Sequence, residues 1–213
     1  MPSKTSPSSP SVAVFDFGGV LIDWNPRHLY RKLFADHAEM ERFLAEVATR
    51  EWHSTQDHGG DPAEATHRLQ AMHPGKEELI AAFYGRFNEM CEHAFPEMVS
   101  LVERLHGGGT PLYLLSNAPN LLDPWLRGPA RQRHPFLGLF RDYVVSGLVG
   151  HSKPDAAIYE LTCRTGGFQP ADAVFIDDVL ANVEGARAVG MKAIHHRSAT
   201  ETAAELRTMG LAV

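Results

Sequence analysis

Residues 12–20 read VAVFDFGGV. The run is short and rich in Val, and only Asp16 interrupts its apolar character before the glycines. Such a segment suits a strand buried on both faces. Four further runs share that character: 111–115 (PLYLL), 143–146 (YVVS), 173–177 (AVFID) and 191–195 (MKAIH). Helical patterns separate most of them. One covers 97–105 and stops at Gly107-Gly108-Gly109, one covers 155–164 behind Pro154, and one covers 179–189 before Gly190. A last helical pattern, 199–209, follows the fifth run. Strands alternating with helices predict an α/β fold: a Rossmann-like, parallel, five-stranded sheet covered on both faces.

The distance from the first run to the second breaks the rhythm. About 95 residues separate Phe17 from Leu112, and a crossover needs far fewer. The excess reads as helix. Asn25 is a good N-cap for 26–35, and 39–50, 62–72 and 76–93 carry apolar residues at three- and four-residue spacing. Gly59-Gly60-Asp61-Pro62 and His73-Pro74-Gly75 are the breaks. Four helices of this length can form a small bundle. The expectation is a four-helix cap over 26–93, inserted into a core made of 12–25 and 94–213. Phe83, Phe87 and Met90 fit one face of that bundle and read as its core. Residues 1–11, MPSKTSPSSPS, are Ser/Pro-rich without an apolar segment, and predict a disordered tail, not a signal peptide.

The 213 residues are 44% hydrophobic, a length and composition that fit one domain with an insert. Twenty basic and 26 acidic residues leave a net charge of −6. A mildly acidic chain is a poor partner for nucleic acid or an anionic membrane, and no apolar run approaches bilayer length. Neither partner is expected, and no pattern specifies an oligomeric state. Cys91 and Cys163 cannot form a disulfide framework; two buried free thiols in a reducing cytoplasm are the expectation.

A doubly wound sheet binds ligands outside the carboxyl ends of its strands. The first strand delivers Asp16 and then Gly18-Gly19, and the second Ser116-Asn117. The third leads to Ser152-Lys153-Pro154. The fourth delivers Asp177-Asp178, with Asn182 one helical turn on. Strand-end carboxylates side by side repel one another unless a cation lies between them. With oxygen ligands alone, that cation is expected to be Mg²⁺.

This set resembles the haloacid dehalogenase superfamily of hydrolases, mostly phosphatases, and in particular its subfamily IA with a C1 helical cap. FDFGGVLID is similar to the first family motif, LLSNA to the second, SKPDAAIY to the third and FIDDVLANVEGA to the fourth. The resemblance implies a phosphatase acting on a small phosphorylated metabolite. Asp16 would be the nucleophile forming an aspartyl-phosphate, and Lys153 the charge that offsets the anions. Ser116, Asn117 and the N–H groups after Ser116 would hold phosphate. An Asp16 oxygen, the Gly18 carbonyl and an Asp178 oxygen would hold the metal. Asp177 would sit behind them, orienting Lys153 or a metal water, and Asn182 would bond Asp16 or a metal-bound water.

One position departs from the pattern. Most family phosphatases carry an acid two residues after the nucleophile, and here that position is Gly18. Some sugar-phosphate phosphatases of the family share this spacing, and the chain also resembles the glucose-1-phosphate type around KPDAAIY and NVEGA. An anomeric oxygen needs less help from an acid, which favours sugar phosphates. Otherwise proton transfer must come from a cap side chain, from metal-ordered water, or hardly at all; in the cap, His53, Asp57 and His58 are the proton-carrying residues nearest an expected cleft. Trp52 and Gln56 are the expected substrate contacts there, in a segment read as lying between cap helices. Asp23 reads as a turn former, and the cap histidines as solvated or turn residues, not zinc ligands. Two rival readings are a 2-haloacid dehalogenase, whose fourth motif usually lacks the acidic pair, and a weakly catalytic binding protein.

Overall fold

The computed structural model describes residues 9–213. Five parallel strands form one sheet: β1 (Val12–Phe15), β2 (Leu112–Ser116), β3 (Asp142–Val145), β4 (Ala173–Asp177) and β5 (Lys192–His195), in the order β3-β2-β1-β4-β5. Phe15 pairs with Leu114 on one side and Ile176 on the other. β1 is therefore central, and the chain leaving it emerges between the ends of β2 and β4. Successive residues of β1 face opposite ways. Ala13 and Phe15 join one apolar cluster, Val12 and Val14 the other. Cys91 and Cys163 lie in these two different clusters, buried and unbridged.

The disordered-tail expectation for 1–11 falls mainly on residues 1–8, outside the described residues. The rest of it needs correction: Pro10 is buried, and the Ser11 N–H donates to the Asp172 carbonyl at 2.7 Å.

Within residues 26–93 the chain forms five α-helices, where four were expected. They are α1 (Pro26–Tyr30), α2 (His37–Glu46), α3 (Arg50–Asp57), α4 (Pro62–Met72) and α5 (Glu77–Gly85), followed by a 3₁₀ turn at Phe87–Cys91. The additional helix is α3. Thr49 starts it, accepting the Trp52 N–H at 3.1 Å. Trp52 and Gln56, expected between helices, are thus on one. Tyr30, Phe43, Ile80, Phe83 and Met90 are buried in the insert, and Tyr30 is tied to the Leu79 carbonyl at 2.9 Å.

The core is completed by α6 (Pro96–Gly107), α7 (Leu122–Arg127), α8 (Pro129–Arg133), α9 (Ser146–Val149), α10 (Ala156–Gly166), α11 (Leu180–Ala188) and α12 (Ala199–Thr208). The pair α7 and α8 lies in a stretch the sequence reading left unassigned. Leu122, Leu126 and Ala130 bury its inner side, and His134 is buried with its Nε2 donating to the Cys91 carbonyl at 3.0 Å. Among the described residues no helix is long and apolar enough to cross a membrane.

Candidate active site

A cleft of about 530 Å³ opens where the strand ends meet the insert. Asp16, Gly18, Ser116, Asn117, Lys153, Asp178 and Asn182 line it from the core, and Trp24, Arg50, His53, Ser54, Asp57 and His58 line it from the other side. The Lys153 ammonium lies in the core wall of this cleft. Nζ lies 2.8 Å from Asp16 Oδ1 and 2.7 Å from Asp177 Oδ2, and donates to the Leu115 carbonyl at 3.1 Å. All three residues of this triad are buried. An ammonium has three donors, so each is engaged.

Asp177 is saturated. It accepts from Lys153, from the Val179 N–H at 2.7 Å, and from Asn182 Nδ2 at 3.1 Å on each oxygen. It therefore sits behind the cleft surface. Asn182 was expected to bond Asp16 or a metal water; its amide instead donates to Asp177. Asn117 also differs from expectation. Its Nδ2 donates to the Lys153 carbonyl at 2.9 Å and its Oδ1 accepts the Lys153 N–H at 2.8 Å. That reciprocal clamp positions the lysine and leaves the side-chain amide engaged. Of the N–H groups after Ser116, that of Ala118 donates to Ser146 Oγ at 3.0 Å.

Trp52 and Gln56 are not on the cleft wall. Trp52 packs edge-on against Phe83, and its Nε1 donates to the Ala65 carbonyl at 3.4 Å. Gln56 is buried and bonds its own helix at the Trp52 carbonyl. On a helix, residues three or four apart share a face, so α3 turns Arg50, His53, Ser54 and Asp57 to the cleft. Arg50 and Ser54 carry no site signal in the sequence, where they fall at a helix end and in a loop. Thr49, followed by Glu51 in the first turn, was the available signal for a separate helix. Asp23, read as a turn former, pairs with His28 Nε2 at 2.8 Å.

Burial pushes the Asp16 carboxyl up to about 7; Lys153 opposes this and Asp177 adds to it. Burial also raises Asp178, helped by the charge of Asp177. For Lys153, burial acts to lower the value, but Asp16 and Asp177 outweigh it and the ammonium is held charged. Three carboxylates thus face one ammonium. Oxygens of Asp16, Asp177 and Asp178 lie within 4.8 Å of one another, a hard, anionic donor set that suits a divalent cation. With Asp177 saturated, Asp16 and Asp178 are the carboxylates free to face the ion. Gly19 makes room for this: its φ is +75°, and a Cβ there would lie 2.5 Å from Asp178 Oδ2.

A model of haloacid dehalogenase-like hydrolases matches residues 10–190. The chain belongs to that family. It is 31% identical over 199 residues to the sesquiterpene phosphatase astK of Aspergillus oryzae, covering 92% of this chain and 95% of the relative. It is 24% identical over 206 residues to the D-ribitol-5-phosphate phosphatase of Bacteroides thetaiotaomicron, covering 91% and 95%. Among solved structures, a wild-type HAD family enzyme from Bacteroides thetaiotaomicron in complex with magnesium and inorganic phosphate has the same fold. The TM-score is 0.64, with 22% identity and coverage of 88% of this chain and 94% of that one. This chain is therefore a HAD-like hydrolase whose curated relatives are named as phosphatases.

Proposed function

We propose that the protein is a Mg²⁺-dependent phosphatase that hydrolyses a small phosphorylated metabolite through an aspartyl-phosphate. The observation that carries this is the convergence of Asp16, Lys153 and Asp178 on one wall of the cleft, with Ser116 beside them. In this reading residues 26–93 are a cap over a core made of 12–25 and 94–213, and the enzyme is cytoplasmic, in keeping with two unbridged thiols.

Asp16 attacks phosphorus in line, so the leaving oxygen departs on the opposite side. Lys153 draws negative charge from the phosphoryl oxygens as it shares its protons between them and Asp16. The Ser116 hydroxyl donates to another phosphoryl oxygen. Asn117 and Asp177 act through Lys153, one fixing its backbone and the other its ammonium. Asp16, Asp178 and the Gly18 carbonyl would hold Mg²⁺, which supplies electrostatic relief between nucleophile and phosphate. The Asp177-Asp178 pair supports a phosphatase over a 2-haloacid dehalogenase, whose chemistry at carbon needs no cation.

The test is phosphate release from a panel of esters with and without Mg²⁺. Turnover that disappears on chelation and returns with Mg²⁺ is expected; halide release from 2-haloacids without metal would replace this reading. The cleft wall favours a second reading of the substrate beside sugar phosphates. Phe17, Trp24, Phe87, Leu122 and Val179 give it a broad apolar share, which suits an apolar alcohol portion. A panel of sugar, polyol and prenyl monophosphates separates the two by kcat/KM.

Gly19→Ala tests the cation site. The new Cβ meets Asp178 in a backbone conformation that disfavours L side chains by roughly 1–2 kcal/mol. Displacement of Asp178 is expected to raise the Mg²⁺ concentration for half-maximal activity by about tenfold or more, since about 1.4 kcal/mol is one decade. Calorimetric titration with Mg²⁺ reads the same change, and unaltered affinity would remove Asp178 from the ligand set.

A further inference from the structure

Gly18 leaves the leaving oxygen without a core carboxyl. A Cβ built on Gly18 would lie 3.5 Å from the Trp24 Cβ, so a side chain at this position would face the Trp24 wall. That wall has an unusual property. Among the described residues, the buried side-chain polar atoms without a hydrogen-bond partner are Trp24 Nε1 and Asp57 Oδ1. Both residues line the cleft. Unpartnered buried polar groups are rare, and a donor and an acceptor left open on one cleft wall point to a ligand that completes them.

His53, His58 and Ser54 on this wall each have a hydrogen-bond partner. His53 stacks on Trp24 with 5.1 Å between ring centroids, and its Nδ1 meets Tyr84 Oη at 3.1 Å. Burial, helped by Arg50, lowers its pKa to about 4, so it is neutral and carries no readily donated proton. His58 Nδ1 is held by Ser152 Oγ at 2.7 Å. Ser54 donates to the Glu51 carbonyl at 2.9 Å. Asp57 Oδ1 lies 3.8 Å from His53 Nε2, beyond hydrogen-bonding distance.

We propose that Asp57, on α3 of the insert, is the general acid that stands in for the carboxyl missing at Gly18. This rests on the phosphatase reading. An Asp16 oxygen forms a bond to phosphorus as the P–O bond to the alcohol breaks, and the Asp57 proton passes to the departing oxygen. The alcohol leaves and Asp57 is a carboxylate. It then takes a proton from water, whose oxygen attacks phosphorus and breaks the bond to Asp16. Phosphate leaves, Asp57 is protonated again, and ester plus water has become alcohol plus phosphate.

The surroundings of Asp57 suit both halves of that cycle. Arg50 and His53 face it from its own helix, Tyr84 from α5 and Lys153 from the core. Burial raises its pKa to about 7 against the opposing charges of Arg50 and Lys153. A value near the working pH serves donation and acceptance alike.

The experiment compares kcat/KM for aryl and alkyl phosphates, p-nitrophenyl phosphate and a polyol phosphate, with Mg²⁺. Wild type is expected to depend weakly on leaving-group acidity. Asp57→Asn is expected to lose about 10²–10⁴-fold on the alkyl ester and far less on the aryl ester, whose oxygen leaves without a proton. For the wild-type alkyl reaction, kcat/KM should fall above pH about 7 as Asp57 ionises, and that limb should be absent from the variant. Restoration of the alkyl rate by Gly18→Asp in the Asp57→Asn background would show that a carboxyl, not a packing contact, was lost. An unchanged leaving-group slope in Asp57→Asn overturns the inference and leaves the phosphatase reading intact. Should that variant not fold, a steep slope in wild type overturns the inference as well. Absence of turnover by wild type on both esters overturns the two together.

Discussion

Asp16→Asn is expected to reduce phosphate release to a trace while the protein stays folded. The amide matches the carboxylate in shape and keeps an acceptor for the Phe17 N–H, now held at 2.7 Å by Oδ1. It also removes a charge whose burial is unfavourable, so thermal stability should hold or rise. What disappears, in the proposed mechanism, is the anion that attacks phosphorus. Removing an enzyme's nucleophile can reduce kcat on the order of 10⁶-fold. Phosphate release, mass spectrometry for a phosphorylated Asp16 and a circular dichroism melt together check this. More than a trace of the wild-type rate, with contamination excluded, would remove Asp16 from that role.

The second large effect belongs to Lys153→Met. Its ammonium is the common partner of Asp16, Asp177 and the Leu115 carbonyl, all inside the protein. Breaking a buried ion pair by deleting one member leaves uncompensated charge, at about 3–5 kcal/mol. The size of the deficit should depend on pH. In the wild type Asp16 has a folded-state value of about 7 against an ordinary 3.8. A value raised on folding favours the folded state fully below about pH 4, and that advantage is lost as pH rises towards 7. Without Lys153 the folded-state value moves higher still, because the lysine was pulling it down. Urea denaturation without divalent cation should therefore show a larger deficit at pH 8 than at pH 5. A deficit below about 1 kcal/mol, the same at both pH values, would mean that the triad is screened by solvent. Phosphatase activity should be lost in the same variant, since the charge proposed to offset the phosphoryl oxygens is gone.

These two residues could be named from the linear sequence, and there is a physical reason. In a parallel sheet every strand presents its carboxyl end at the same edge. The residue that closes each apolar run is thereby placed in the site, whatever the order of the strands. Asp16, Ser116 and Asp177-Asp178 follow from that geometry, and Lys153 from its place after the third strand. The spacing of Val, Ile, Leu and Phe announced the five strands because both faces of the sheet are buried. The same signal failed for α3. Its buried residues are His53 and Gln56, so its inner face is polar and carries no apolar period.

Partnerships within the site depend on directions that no spacing encodes. Asn117 and Asn182 stand where the sequence placed them, yet the first clamps the backbone of Lys153 and the second holds Asp177. Trp52 and Gln56 were reasonable substrate contacts in a loop; on a helix, one turn of register moves them off the cleft and brings Arg50, Ser54 and Asp57 to it. The sequence by itself determined the alternation of strands and helices, the insertion after the first strand, the acidic edge of the sheet and the missing acid at Gly18. Only the tertiary structure distinguishes His53, Asp57 and His58 by burial and hydrogen-bond partners, the distinction on which the proposal for Asp57 rests. Protonation and hydrogen-bond vacancy are properties of a surrounding: His53 and His58 found partners when the insert closed over the core, and the carboxyl of Asp57 was buried with one oxygen left open.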